Sequence, residues 1–155
     1  MKDIELLKKL SLTPGVPGRE HRVRNLIKKE IKEVFDSISV DPLGSVIAVR
    51  KPRLAKGNKV RKQPKRIMLA AHMDQIGFLV SHVSEEGYAY IVPVGGFDTR
   101  NLFARIVTVC PDPEEPKKDL KAVLNPITKP IHIANEDERK KIPDISEFAL
   151  DFGIA

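Results

Sequence analysis

His72 and Asp74 are the two residues of this sequence best placed to do chemistry. They follow a continuous apolar run, Ile67 to Ala71, which predicts a strand buried on both faces with polar groups at its carboxyl end. Because side chains two residues apart project to the same face of an extended strand, the Asp74 carboxylate can hold one imidazole nitrogen of His72. The other nitrogen is then available as a metal ligand. The spacing therefore indicates a metal site at the edge of an α/β sheet, where open sheets place their sites.

A structural role for the same pair is the alternative. A His-x-Asp spacing is short enough to arise by chance, and a histidine at a strand end is commonly a hydrogen-bonded structural residue. Gly77 follows the motif and favours a backbone that turns sharply or lies close to another group. The spacing alone leaves both roles open. The other histidines, His21, His82 and His132, are interpreted as structural or surface residues.

The residues around the pair resemble a known family. AHMDQIGF at 71–78 is similar to the first metal motif of the tetrahedral aminopeptidases and the glutamyl-aminopeptidase and FrvX-like metallopeptidases (family forty-two), some of which are named endoglucanases. Other segments resemble the family's landmarks in order: LTPGVPG at 12–18, DPLGS at 41–45, PVGGFD at 93–98, KIP at 141–143 and LDFG at 150–153. Gln75 departs from the family's usual Glu, which removes a charge beside the site without removing a presumed ligand.

The resemblance implies a metal-dependent aminopeptidase that removes amino-terminal residues from peptides. Members of the family bind two divalent metal ions, usually zinc or cobalt. On this chain the resemblance makes His72 a metal ligand and Asp74 the catalytic-site carboxylate that orients it. It places the remaining ligands and the general base beyond Ala155, so the 155 residues are expected to be inactive alone. Expected partners are peptide substrates and either further copies of the chain or a complementing carboxyl-terminal half.

Hydrophobic periodicity predicts the secondary structure on both sides of the pair. It predicts a short helix that Asp3 caps and the Pro14 to Gly18 stretch ends, and a second helix from Glu20 to Phe35. Strands follow at 37–40 and 45–50, joined by a turn at 41–44, and they begin a sheet with Ile67 to Ala71. After Gly77 the pattern changes to short strands at 78–83, 88–92, 104–110 and 120–124, followed by a helix at 136–140 capped by Asn135 and a strand at 148–152.

This order of elements predicts an α/β fold in two parts. With the resemblance, residues 1–76 are expected to be the incomplete amino-terminal part of a zinc-peptidase-like α/β catalytic domain. Residues 77–155 are expected to be an inserted small β-barrel of dimerisation type, truncated before the rest of the catalytic domain. Asp151 is interpreted as part of the framework of the last strand rather than as a ligand.

Composition narrows the class of protein. The single cysteine, Cys110, cannot form an intrachain disulfide, and no segment is long and apolar enough for a signal peptide or a membrane span, so a cytoplasmic location is expected. The net charge of +6 is concentrated between Arg50 and Arg66, which could attract nucleic acid. Pro52, Gly57 and Pro64 favour a solvated loop there instead. A nucleic-acid-binding protein and a non-catalytic oligomerisation module are therefore kept as alternatives to the enzyme.

Overall fold

The computed structural model describes residues 2–53, 65–112, 114–130 and 132–153. These residues group into two compact units. The amino-terminal unit comprises Met1–Gly15 and Glu20–Asp74, and the sheet unit comprises Val16–Arg19 and Gln75–Ala155. Each unit has its own secondary structure and is described separately.

Two helices, α1 (Lys2–Leu12) and α2 (His21–Ile31), begin the chain. Helix α2 keeps the predicted apolar stripe, and its Val23 side chain is buried. Gly15 packs against that side chain so closely that an added Cβ would lie 2.6 Å from a Val23 methyl carbon. The helix ends at Ile31 rather than at the predicted Phe35, because the residues after Ile31 form a turn.

The amino-terminal unit also contains the predicted hairpin, with β1 at Ser37–Val40 and β2 at Val46–Val49. Its turn is built from the expected residues. The Asp41 carboxylate accepts a hydrogen bond from the Ser45 N–H at 2.8 Å, and Gly44 adopts a φ of +93° that favours glycine.

The prediction of a buried strand from Ile67 to Ala71 is wrong for this structure. Residues 65–76 have no regular secondary structure, and Ile67, Met68 and Leu69 are 86%, 88% and 94% exposed. An inner strand needs hydrogen-bonding neighbours on both edges and cover on both faces. In the described part of the chain, β1 and β2 pair only with each other and do not extend to this run.

The sheet unit contains five antiparallel strands: β3 (Gly77–Val83), β4 (Ala89–Val94), β5 (Arg105–Val109), β6 (Leu120–Pro126) and β7 (Phe148–Asp151). Their order across the sheet is β3-β4-β7-β6-β5. The predicted strands are confirmed to within a few residues at their ends. The core lies on one face, where Leu124 and Phe148 are completely buried.

Short helical segments connect the strands of this unit. Helix α3 spans Glu136–Lys140, as predicted, and 3₁₀ turns lie at Thr99–Asn101, Pro116–Lys118 and Ile145–Glu147. Strands β3 and β5 are the two edges and do not pair within the described residues, so the sheet is open. Closure into a barrel would need hydrogen bonds between those edges. The barrel therefore stays a prediction.

Candidate metal centre

His72 and Asp74 lie beside each other at the end of the exposed apolar run. The His72 Nδ1 atom is 3.2 Å from the Asp74 Oδ1 atom and 3.0 Å from the Asp74 backbone oxygen. Both partners are acceptors, so the neutral ring carries its proton on Nδ1 and donates it to them. The Nε2 atom then presents a lone pair, and the side chain is 84% exposed. Contacts of this kind orient an imidazole and leave its second ring nitrogen open to other partners.

Close backbone approaches fix the segment that follows the motif. A Cβ on Gly77 would fall on the Val16 side chain, which confirms the close approach that glycine indicated there. A Cβ on Gly95, whose φ is +100°, would fall on the side chain of Ile76. Glycine is therefore required at both positions, at the start of β3 and directly after β4.

The donor set around His72 is incomplete. No group of three or more His, Cys, Asp or Glu side chains that could hold a metal ion occurs among the described residues. A catalytic zinc ion needs about three protein ligands and one open position. His72 thus fits the part of one ligand, and Asp74 fits the part of the carboxylate that orients it.

The other candidate ligands have structural contacts. His82 stacks on Tyr90 with ring centroids 4.5 Å apart, and its Nδ1 atom lies 3.1 Å from the Ser81 hydroxyl. The Asp151 carboxylate accepts a hydrogen bond from the Gly153 N–H at 2.8 Å, which fits the framework role expected of it. None of the described helices is long and apolar enough to cross a membrane. Most of the basic segment, residues 54–64, lies outside the described residues.

The fold of this chain is shared with solved aminopeptidases. The TET aminopeptidase of Thaumarchaeota archaeon SCGC AB-539-E09 matches with a TM-score of 0.80 and 32% identity, over 98% of this chain and 38% of that one. The TET1 peptidase of Pyrococcus horikoshii, whose structure is described as assembling into a tetrahedron or a large octahedral shell, matches with a TM-score of 0.74 and 31% identity. That match covers 97% of this chain and 40% of the peptidase.

Sequence comparison gives the family. The family model of the M42 glutamyl aminopeptidases matches residues 52–155, and the chain belongs to that family, as the resemblance of its motifs indicated. The lysyl aminopeptidase of Pyrococcus furiosus is 41% identical over 106 residues, which are 68% of this chain and 28% of that protein. The chain therefore spans well under half the length of these relatives.

Proposed function

We propose that this chain is the amino-terminal part of a metal-dependent aminopeptidase, in which His72 binds a metal ion through Nε2 and Asp74 orients the ring. The observation that carries the proposal is the 3.2 Å contact between His72 Nδ1 and Asp74 Oδ1 in a member of the M42 family. A carboxylate in this position fixes the tautomer and raises the basicity of the other ring nitrogen.

In the complete enzyme, two divalent ions, zinc or cobalt, would polarise the scissile carbonyl of a peptide and lower the pKa of a bound water. His72 would contribute one neutral nitrogen to that site and Asp74 would hold the ring in place. Gln75, where the resemblance leads us to expect Glu, removes a charge beside the site and leaves His72 and Asp74 themselves in place.

The exposed apolar run is part of the same proposal. Ile67 to Ala71 would become an inner strand of the catalytic sheet once the remaining sequence supplies its neighbours, in a catalytic part formed by residues 1–76. Residues 77–155 would be the inserted β-barrel of dimerisation type. The complete protein would be a homo-oligomer, which the assembly described for the related TET1 peptidase supports, and its location would be cytoplasmic.

The isolated chain should release no amino acid from peptide substrates above the rate of a blank. The reason is that the described residues contain no group of three or more His, Cys, Asp or Glu side chains that could hold a metal ion, whereas a dinuclear site needs more ligands than that. The measurement is hydrolysis of aminoacyl-p-nitroanilides with added zinc or cobalt, with His72→Ala as the control. Metal-dependent release that this substitution abolishes would contradict the prediction.

Metal affinity tests the two named residues directly. We would fuse the chain to the remainder of the lysyl aminopeptidase of Pyrococcus furiosus and measure zinc affinity by competition with a chelator. His72→Ala should abolish loading of one ion, whereas Asp74→Asn should weaken it by roughly 10–100-fold because the ring loses its anionic partner. His82→Ala is the matched control and should leave affinity unchanged. Equal affinity in Asp74→Asn and the unsubstituted fusion would refute the orienting role.

A non-catalytic assembly role is a second candidate, favoured by the uncovered face of the sheet. Ile106 and its cross-strand partner Val123 are 74% and 37% exposed, and Leu79 and its partner Val92 are also exposed. Apolar pairs of this kind mark interaction sites. Metal-free oligomers of the isolated chain, dissociated by Ile106→Asp in analytical ultracentrifugation, would support this role. A monomer at all concentrations would exclude it.

A further inference from the structure

A cleft of about 480 Å³ opens in the sheet unit, and its lining includes Lys141 and Pro143 of the KIP landmark but neither His72 nor Asp74. Apolar side chains form part of its lining, and three cations, two carboxylates and Thr128 form the rest. The apolar and cationic residues used below are Phe103, Ile127, Pro143, Lys129, Arg139 and Lys141. The volume lies within the roughly 300–1,000 Å³ typical of small-molecule sites.

Both carboxylates in the lining are already engaged. One oxygen of Glu138 accepts the Asn135 N–H at 2.9 Å, and the other lies 2.7 Å from Lys129 Nζ. Because the Asn135 side chain accepts the Glu138 N–H in return, this is a complete capping box at the start of α3. The lysine is thereby neutralised and held at the rim of the cleft.

The second carboxylate repeats this arrangement. One oxygen of Glu147 accepts the Asp144 N–H at 2.7 Å, and the other lies 3.0 Å from Lys141 Nζ. The hydrogen bond from Asp144, with that from Lys141, lowers the pKa of Glu147. The carboxylate therefore stays ionised and keeps its lysine paired, so neither glutamate is free to bind a cation from solution.

Arg139 is the third cation in the lining of the cleft, and neither of the two lining glutamates is paired with it. Its Nε atom donates to the backbone oxygen of Ala134 at 2.9 Å, which fixes the plane of the guanidinium. Its two Nη nitrogens have no hydrogen-bond partner in the described part of the chain. Three cations against two anions leave one positive charge in excess, located on this group. A planar fork with two free donors matches the geometry of a carboxylate.

The apolar wall is held rigidly beside this charge. The Phe103 ring packs edge-on against the buried Phe148, with centroids 5.6 Å apart and planes at 79°. The next residue, Ala104, has a φ of +53°, and its N–H donates to the Asn125 side chain at 2.9 Å. An alanine in this region is strained, so the Asn125 contact maintains an unfavourable backbone that sets the direction of the chain after Phe103.

We propose that this cleft binds a monocarboxylate carried on an apolar body. The carboxylate would bind the Nη nitrogens of Arg139, and the apolar body would pack on Phe103, Ile127 and Pro143. The single excess charge favours a monoanion over a phosphate dianion, whose second charge would have no partner. The site uses neither His72 nor Asp74, so it stands or falls independently of the aminopeptidase proposal.

The probe is 3-phenylpropionate, titrated into the 155-residue chain and followed by NMR. Saturable shifts at Phe103 and Ile127 are expected, with a dissociation constant on the order of millimolar for so small a ligand. Arg139→Ala should weaken binding about tenfold or more, because a charge-assisted hydrogen bond is lost. Arg105→Ala is the matched control, since the Arg105 Nε atom also donates to a backbone oxygen, that of Asn101 at 2.9 Å, outside the cleft.

Two further measurements keep the test decisive if Arg139→Ala unfolds. The neutral amide of the same acid should bind the unsubstituted chain about tenfold more weakly. Arg139→Lys keeps the charge but loses the fork, so it should bind more weakly than the unsubstituted chain. Absence of saturable binding, equal affinity for acid and amide, or an equal loss in Arg105→Ala and Arg139→Ala would overturn the proposal.

Discussion

Apolar side chains in two regions of this protein are in opposite states, exposed in the run before His72 and buried in the sheet unit. Ile67 to Leu69 are 86–94% exposed, whereas Leu124 in β6 and Phe148 in β7 are completely buried. The difference lies in their neighbours, because β6 pairs with β5 and β7, and β7 pairs with β4 and β6. No described strand pairs with the run before His72. An apolar run forms a buried strand only where other strands supply hydrogen bonds and a packing surface.

The sharpest test of this comparison removes the same atoms from each stretch. Leu124→Ala should destabilise the sheet unit by about 2–5 kcal/mol, because it loses buried contacts and leaves a cavity. Leu69→Ala should change the stability of either unit by less than about 0.5 kcal/mol, because its side chain is 94% exposed. Urea unfolding followed by circular dichroism gives both values.

An equal loss of stability in the two variants would break the comparison, since it would mean that Leu69 is packed in solution. The same two substitutions in the fusion with the lysyl aminopeptidase provide a second test. There the cost of Leu69→Ala should rise toward that of Leu124→Ala, because the proposed inner strand has gained its neighbours. An unchanged, negligible cost in a folded and active fusion would refute the strand proposal.

A smaller loss of stability is expected when the N-terminal cap of α3 is removed. Asn135→Ala should cost about 1 kcal/mol, because the α3 N-cap loses the bond from the Glu138 N–H to its side chain. Asn101→Ala is the matched control, since Asn101 is also exposed and its side chain makes no hydrogen bond in the described residues. Thermal unfolding midpoints compare the two variants. An equal shift in both would show that the capping box contributes nothing particular.

These cases show why some features could be predicted from the sequence and others could not. The hairpin turn at Asp41, the Asn135 cap and the His72–Asp74 contact each depend on residues a few positions apart. Local geometry decides them, and the predicted turn and cap agree with the structure. The His72–Asp74 contact also forms, but in a segment without regular secondary structure rather than on the predicted strand. The state of the run after Ile67 depends on strands far along the chain, which periodicity cannot identify.

The same limit applies to the rest of the site. Periodicity finds the strands of the sheet unit but gives neither their order nor the open edges at β3 and β5. The further metal ligands that we propose would be long-range partners of His72, so no spacing near it can reveal them. The cleft beside Arg139 joins residues from 103 to 147 and has no local motif beyond the two capping boxes.

The smallest predicted effect is a pH dependence confined to the sheet unit. Hydrogen bonds from the Lys129 side chain and the Asn135 backbone lower the pKa of Glu138, and those from the Asp144 backbone and Lys141 lower that of Glu147. A carboxyl group with a lower pKa in the folded state than in the unfolded state stabilises the fold above its unfolded pKa of about 4.3. That stabilisation is lost as the pH falls through the lower, folded value.

The stability of the sheet unit should therefore fall as the pH drops below about 4.3, and only slightly, because the Glu138 and Glu147 side chains are 37% and 31% exposed and are screened by solvent. The double variant Glu138→Gln/Glu147→Gln should flatten this acid limb of the urea midpoint against pH. Glu136→Gln is the control, since that carboxylate lies 3.8 Å from Lys140 and accepts no backbone hydrogen bond in the described chain. Equal flattening by Glu136→Gln would show that the loss of stability at low pH arises from the net charge of the unit. No flattening by the double variant would show that other carboxyl groups, such as those of Asp98 and Asp144, whose pKa values hydrogen bonds also lower, carry the acid sensitivity.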